Sequence, residues 1–289
     1  MRPLISFDWA IKRLLRQKAN YGILEGFLTE LLGQEVVIKS IPESESNRDT
    51  EDDKANKVDI LCEDQKGELL LIELQYYSEW DFLHRMLFGT AKLITDYLKV
   101  GEPFGNVKKV YSINIVYFEL GQGTDYVYHG KTTFTGLHHH DVLLVSPAQR
   151  AKLQKEAIYR VFPEYYIIKV NNFDNVARDT LDEWIYYFKN NALPALFRAK
   201  GLEKVEAQLK VDAMTAQEKI NYEAHLKNLA ISSSMLETAK LEGEMQGEIK
   251  GEIKGEIKRG RFAAEKLIIR GFSNAILRKL FLWKCRKKY

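Results

Sequence analysis

The sequence predicts an α/β protein with a mixed central sheet flanked by helices, followed by a helical C-terminal region. Two observations support this fold class. Short β-compatible apolar runs alternate with longer segments of helical periodicity up to about residue 170, and only helical periodicity follows from residue 179 onwards. At 289 residues, the chain is long enough for one good-sized domain with appendages.

The first predicted elements are two helices and a strand. Residues 6–16 and 20–32 have apolar side chains at helical spacing, and Gly33 is a typical residue for ending the second helix. Residues 36–41 have the composition of a strand. The strongly polar stretch 43–57 cannot bury much apolar area, so we expect it to be a loop.

The stretch 57–75 has the pattern of a β-hairpin. Apolar runs at 58–62 and 69–75 flank a polar segment that contains a glycine. Each run carries one carboxylate among aliphatic neighbours, Asp59 in the first and Glu73 in the second. A carboxylate in a buried strand destabilises the fold unless something pairs with it, and one divalent cation would pair with both.

Helices and strands alternate after the hairpin. The sequence Ser-Glu-Trp-Asp at 78–81 has capping-box form, and helical periodicity that includes Leu83 and Leu87 then continues to about residue 98. We expect this apolar face to pack on the sheet. Further strands are predicted at 109–120, 126–129, 132–135, 142–145 and 162–170, and further helices begin at the capping boxes 180–183 and 215–218.

The acidic residues of the hairpin belong to a motif. Asp59, thirteen further residues, and then Glu73-x-Gln75 resemble the core of the PD-(D/E)xK nuclease superfamily. The surrounding chain, over about residues 1–260, resembles the Rpn family of recombination-promoting nucleases and transposases. Gln75 stands where most superfamily members have lysine, although the Rpn family usually has glutamine there. The matching segments are 7–12, 23–28, 57–61, 72–75, 84–87 and 112–116.

The resemblance implies a restriction-endonuclease-like PD-(D/E)xK core and a Mg²⁺-dependent deoxyribonuclease. Asp59 and Glu73 would hold the cation through oxygen ligands. Gln75 would share a strand face with Glu73 and orient water, but an amide cannot act as a general base. Glu25, on an early helix, and Glu45, between the first strand and the hairpin, are accessory candidates.

Arg85 lies on the helix that follows the hairpin, close in sequence to the candidate site. A guanidinium there would grip a phosphate of DNA in bidentate fashion, or it would form a structural ion pair with one of the acids. Both interpretations stay open at this stage.

Charge is unevenly distributed along the chain. Residues 258–289 contain eleven Lys or Arg and one acid, which gives +10, whereas residues 1–257 carry 32 bases and 39 acids, a net charge of −7. A basic tail on an acidic body suggests contact with nucleic acid, and a solvated charged end is the alternative.

Residues 243–258 repeat the unit Gly-Glu-(Met/Ile)-(Gln/Lys). The repeat is either a low-complexity tether or a helix through which copies of the chain associate, and its glycines favour the tether. We predict four parts: a nuclease-like domain (1–175), a helical extension (176–240), the repeat as linker or self-association helix (241–260), and a basic tail that could hold a degraded helix-turn-helix (261–289).

Some classes are excluded by the sequence. The two cysteines, Cys62 and Cys285, form no disulfide framework or zinc motif, which suits the cytoplasm. No apolar run approaches the length of about 20 residues that a membrane span needs, and the N-terminus has no signal-peptide pattern.

Three functions remain open for the chain. The first is the nuclease. The second is a catalytically weak or inactive nuclease fold that binds DNA or a protein partner. In the third, the two acids pair with Lys57, Arg85 or Lys92, and the fold serves homo-oligomerisation through its helical C-terminal region.

Overall fold

The computed structural model describes residues 4–13, 15, 18–41, 59–153, 157–211 and 214–269. The chain divides into two compact units, residues 1–219 and 220–289. The first unit holds the sheet with its surrounding helices, and the second holds most of one long helix. The domain limits expected from the sequence stay predictions.

The order of elements confirms the predicted α/β class. Among the described residues, the helices are α1 (Phe7–Arg13), α2 (Tyr21–Leu32), α3 (Phe82–Tyr97), α4 (Pro147–Leu153), α5 (Thr180–Asn190), α6 (Leu202–Gln208) and α7 (Ala216–Ile269). The strands are β1 (Ile38–Ser40), β2 (Ile60–Asp64), β3 (Leu69–Gln75), β4 (Val110–Val116), β5 (Val127–Gly130) and β6 (Glu164–Lys169).

The six strands form one mixed sheet in the order β1-β2-β3-β4-β6-β5. Strands β1 and β5 pair antiparallel at the two edges, β2 pairs antiparallel with β3, and β3, β4 and β6 run parallel. Every residue of β4 is buried, as expected for a central parallel strand covered on both faces. Helix α3 lies in the crossover connection between the parallel strands β3 and β4.

The turn between β2 and β3 explains why the predicted hairpin forms. The Asp64 carboxylate accepts hydrogen bonds from the backbone N–H groups of Lys66 (2.9 Å) and Glu68 (2.8 Å). Gly67 has φ +77°, a left-handed conformation that glycine adopts without strain. All these contacts lie within the turn itself, so the register of the two strands is set locally.

Helix α3 covers the sheet face that carries Leu69 and Leu71, because Leu93 packs in the same buried cluster. Phe82 and Met86 pack with Val116 farther along the sheet. The expectation that Leu83 and Leu87 lie on the packed face is wrong, since they are 56% and 60% exposed. Phe82 and Met86, one turn apart, define the buried face, and Leu83 and Leu87 lie about 100° further round the helix.

A cluster of aromatic side chains joins α1, α2 and α5. Phe7 and Phe27 contact each other at 5.9 Å between ring centroids, and Phe27 contacts Trp184 at 5.7 Å. Gly26 lets the backbone at Lys200 pack directly against α2, because a Cβ atom at position 26 would lie 2.2 Å from the carbonyl oxygen of Lys200. The N-terminal helices and α5 therefore share one core.

Several expected elements differ in the structure. Helix α3 begins at Phe82 rather than at residue 78, and the expected strands at 132–135 and 142–145 are reduced to one bridge between Thr135 and Val142. The glycine repeat is part of the continuous helix α7, because three of every four residues in it are compatible with a helix. The suspected helix-turn-helix lies largely outside the described residues. In the described part of the chain, no helix is both long and apolar enough to cross a membrane.

Candidate active site

The hairpin brings Asp59 and Glu73 together at the open end of β2. The ladder ends at the pair of Ile60 with Ile72, so Asp59, directly before β2, and Glu73, directly after Ile72, are neighbours at this end, and the charge of Asp59 acts on Glu73. The Asp59 carboxylate accepts a hydrogen bond from the backbone N–H of Leu74 at 2.7 Å, which holds it against β3. Residues alternate between the two faces of a strand, so Glu73 and Gln75 both point towards the face covered by α3.

Glu73 is a buried carboxylate, with only 4% of the residue exposed. Burial raises the pKa of its carboxyl group above the ordinary value, and the negative charges of Asp59 and Glu79 add to the rise, whereas the charge of Arg85 opposes it. One carboxylate oxygen, Oε2, is buried and has no hydrogen-bond partner among the described residues. Glu73 therefore lacks the contacts that would fully compensate its burial.

Arg85 lies between two carboxylates. Its guanidinium donates to both oxygens of Glu79, at 2.9 and 3.0 Å, and its other terminal nitrogen is 3.6 Å from Glu73 Oε1. The charges of Glu73 and Glu79 raise the pKa of Arg85 against the effect of its burial. Of the two roles expected for Arg85, the ion pair is therefore present in the structure.

Gln75 is held by hydrogen bonds at the end of β3. Its side-chain amide donates to Glu79 Oε1 at 2.8 Å and to the carbonyl oxygen of Tyr77 at 3.3 Å. Glu79 therefore contacts both Gln75 and Arg85. The result is a chain of polar side chains that runs from Glu73 through Arg85 and Glu79 to Gln75 on one side of the sheet.

The other candidate residues lie elsewhere. Glu25 accepts a hydrogen bond from the backbone N–H of Ile38 at 2.9 Å, and its charge acts on Cys62, which pairs with Leu70 and so faces away from Glu73. Glu25 thus anchors β1, and its contacts do not join it to the Asp59–Glu73 pair. Glu45 lies outside the described residues. Lys92, one suggested partner of the acids, lies 3.8 Å from Asp96 instead.

Glu79 was missed by the sequence prediction, which assigned residues 78–81 to a capping box. Because α3 begins only at Phe82, these residues belong to the connection that leads from β3 to α3, and the Glu79 carboxylate contacts Gln75 and Arg85. A signal for Glu79 did exist. It is an acid in the short connection between a strand ending in polar residues and a helix carrying an arginine.

A family model described as PD-(D/E)XK nuclease family transposase matches residues 5–239, more than half of the chain. The chain belongs to this family. Membership in the PD-(D/E)XK transposase family confirms the resemblance expected from the motif and agrees with the mixed sheet and its flanking helices. It also gives the chain a function of the nuclease or transposase type. No curated protein and no solved structure matches the chain significantly.

PD-(D/E)XK nucleases typically use divalent metal ions, and the residues at the hairpin fit such an ion. Mg²⁺ prefers carboxylate oxygens and is often bound by only one or two carboxylates, with water filling other positions. Asp59 and Glu73 supply two neighbouring carboxylates, and Oε2 of Glu73 is buried without a partner in the described region. Within the described residues, no group of three or more His, Cys, Asp and Glu side chains forms a metal site. Further ligands would therefore be backbone carbonyl groups or water.

Replacing Glu73 with glutamine should stabilise the protein at neutral pH when no divalent cation is present. The ionised carboxylate destabilises the fold above its raised pKa, and the neutral amide removes that burden, on the order of 1 kcal/mol. The gain should disappear as the pH falls below the ordinary glutamate pKa near 4.5, because wild-type Glu73 is then protonated in both the folded and the unfolded state. Urea unfolding at several pH values measures the effect.

Glu79→Gln is the matched control, because Glu79 contacts the same guanidinium but is more exposed than Glu73. It should lower the free energy of unfolding slightly by removing a close ion pair. Addition of Mg²⁺ should raise the melting temperature of the wild type more than that of Glu73→Gln. A Glu73→Gln variant that is less stable than the wild type at neutral pH would contradict the view of Glu73 as a buried, uncompensated charge.

Proposed function

We propose that the chain is a Mg²⁺-dependent endonuclease that hydrolyses phosphodiester bonds of DNA, in the recombination or transposition chemistry of its family. The observation that carries the proposal is the pair of neighbouring carboxylates: Asp59 is held against β3 beside Glu73, and one buried Glu73 oxygen has no hydrogen-bond partner among the described residues. Family membership supports a nuclease-type function, for which DNA is the implied substrate.

Asp59 and Glu73 are the proposed ligands of the cation. A bound Mg²⁺ supplies Lewis-acid polarisation of the phosphate and makes water more acidic. Asp59 is already oriented by the N–H group of Leu74, which fixes the direction of its carboxylate towards β3. The repulsion between the two carboxylates would be relieved by the cation, so the same negative charges that raise the pKa of Glu73 would favour its binding.

In most of the superfamily, a lysine at the position of Gln75 supplies a positive charge near the attacking water or the phosphate. We propose that here Gln75 supplies the hydrogen bonding and Arg85 supplies the positive charge. Gln75 is neutral and can only orient a water molecule or a phosphate oxygen by hydrogen bonding. Arg85 supplies a permanent positive charge 3.6 Å from Glu73. We propose that Arg85 stabilises the phosphate of the substrate, because its guanidinium matches phosphate geometry and lies beside the proposed metal ligands.

Glu79 has a positioning role in this proposal. It binds the guanidinium of Arg85 through both oxygens and the amide of Gln75 through one. Both side chains are therefore held close to Glu73 before substrate arrives, which reduces the ordering that binding requires. Copies of the chain would associate through the C-terminal helical region, and we place the enzyme in the cytoplasm, together with its DNA substrate.

Cleavage of supercoiled plasmid by the purified chain tests the proposed activity. We expect nicked and linear DNA in the presence of Mg²⁺, and intact plasmid when Mg²⁺ is replaced by a chelator. Binding to the same DNA is measured in parallel by fluorescence anisotropy. Binding without cleavage at any concentration of Mg²⁺ would favour the second function, a nuclease fold that only binds DNA. Absence of both would contradict every role involving DNA.

A further inference from the structure

The glycine repeat of α7 leaves a regular apolar surface uncovered. Residues 243–258 are helical throughout and step by four, so each residue type forms its own row along the helix. The apolar row begins one step earlier, and its members are between 53% and 63% exposed. We call it the apolar stripe, and it consists of Leu241, Met245, Ile249, Ile253 and Ile257. Five large apolar side chains aligned in this way are more than the scattered exposure of an ordinary surface.

The four rows face four directions. Successive residues in an α-helix are rotated by about 100° around the helix axis. Relative to the glycine row, the glutamate row is therefore rotated by about 100°, the apolar row by about 200° and the lysine row by about 300°. The apolar stripe therefore has the glutamate row on one flank and the lysine row on the other. The glycines lie on the opposite side of the helix, where Gly243, Gly247 and Gly251 have no neighbour within 4 Å of an added Cβ among the described atoms.

The spacing of the charges prevents them from pairing within the repeat. Each glutamate and each lysine of the repeat are two, six, ten or fourteen residues apart, whereas side chains on one helix interact when they are three or four apart. Residues four apart carry the same charge. Glu244 illustrates the point, because its ion pair, at 4.0 Å, is with Lys240, which precedes the repeat. At the centre of the repeat, Glu248, Lys250, Glu252 and Lys254 have no opposite charge three or four residues away, so their charges can pair with those of a second molecule.

We infer that α7 pairs with α7 of a second copy of this chain, in parallel orientation, through the apolar stripe. In a parallel pair, the twofold axis runs along the helices and places the glutamate flank of one copy beside the lysine flank of the other. In an antiparallel pair, the axis is perpendicular to the helices, so glutamate meets glutamate and lysine meets lysine. Charge complementarity therefore selects the parallel arrangement, as it does for flanking charges in coiled coils.

The four-residue period of the apolar stripe predicts the handedness with which the two helices wind around each other. Rows that step by four residues wind slowly around the helix, by about 40° per step, so two copies keep their apolar stripes in contact along the whole repeat only if the helices wind around each other in the same sense. A period longer than 3.6 residues also drifts towards a right-handed supercoil. The inference specifies the self-association included in the proposed function. It does not require nuclease activity, because its test measures mass and cross-linking.

The test uses the full-length chain in analytical ultracentrifugation. Wild type should show a concentration-dependent dimer. Glu248→Lys/Glu252→Lys gives a repeat with lysine on both flanks, and Lys250→Glu/Lys254→Glu gives one with glutamate on both flanks. Each variant alone should dimerise at least about tenfold more weakly, because like charges face each other, and an equimolar mixture should recover the dimer.

Glu203→Lys/Glu206→Lys is the matched control, with the same change of net charge at exposed positions of α6, outside the repeat. It should leave dimerisation unchanged. A wild type that stays monomeric up to about 100 µM, where weak complexes with micromolar affinity would form, overturns the inference. So does a charge-reversed variant that dimerises as well as the wild type.

Cysteine cross-linking tests the orientation in a Cys285→Ser background, in which the remaining native cysteine, Cys62, is buried. In a parallel pair, Leu241→Cys and Ile257→Cys should each form a disulfide with the same residue of the partner copy. In an antiparallel pair, neither variant cross-links alone, and disulfides appear only when the two variants are mixed. The second pattern overturns the parallel arrangement, and the first supports it.

Discussion

Replacing Asp59 with asparagine, or Glu73 with glutamine, should abolish Mg²⁺-dependent cleavage of DNA. The two carboxylates are neighbours at the end of the hairpin, and either substitution removes one of the two negative charges proposed to bind the cation. Loss of several kcal/mol of transition-state stabilisation corresponds to a rate lower by roughly a thousandfold or more. Initial rates of plasmid nicking, measured at several Mg²⁺ concentrations, give the effect.

Three further variants and a test of folding show whether the loss of cleavage is specific to the proposed ligands. Asp96→Asn changes an exposed acid of α3 that pairs with Lys92, and it should cleave like the wild type. Gln75→Ala should lose less activity than either ligand variant, because Gln75 only orients water or a phosphate oxygen, and Gln75→Lys should keep or raise activity. Circular dichroism should show that the ligand variants remain folded. If Asp59→Asn and Glu73→Gln still cleave at the wild-type rate, the metal-ligand assignment is wrong.

Removing residues 258–289 should weaken DNA binding on the order of a hundredfold at low salt, because the segment carries a net charge of +10. Each phosphate contact that is lost should also reduce the slope of log K against log salt by about 0.9. Turnover at saturating DNA should change little, since no proposed catalytic residue lies beyond Arg85. Binding titrations at several salt concentrations measure both the affinity and the slope.

A chain ending at residue 239, where the family match ends, provides the comparison. It lacks the repeat as well as the tail, so a further loss of affinity relative to the chain ending at 257 would come from the repeat. We expect the shorter chain to remain folded. Equal affinities and equal salt slopes for all three chains would show that the basic segment does not touch DNA.

Local patterns in the sequence predicted the part of the site formed by the hairpin. Asp59 and Glu73 are separated by only thirteen residues, and the polar turn with Gly67 fixes how the strands pair, so their meeting follows from short-range chemistry. The left-handed Gly33 at the end of α2 and the capping box at Thr215 are confirmed for the same reason. Such features depend on neighbours within a few residues.

The features that escaped prediction depend on tertiary packing. Helix α3 has apolar residues on two adjacent faces, and only the shape of the sheet decides that Phe82 and Met86 are buried rather than Leu83 and Leu87. The true start of α3 also decides that Glu79 reaches Arg85. No pattern within the helix contains this information, because it lies in the strands that the helix covers.

The contrast between the local hairpin and the distant α3 has a consequence for the order of folding. The hairpin forms by closing a short loop, a process of microseconds, whereas the parallel pairing of β3 with β4 must wait for the whole crossover. A hairpin that forms first brings Asp59 and Glu73 close together before α3 carries Arg85 to within 3.6 Å of Glu73. Docking of α3 eases the repulsion between the two carboxylates, so this docking and the completion of the hairpin are electrostatically coupled.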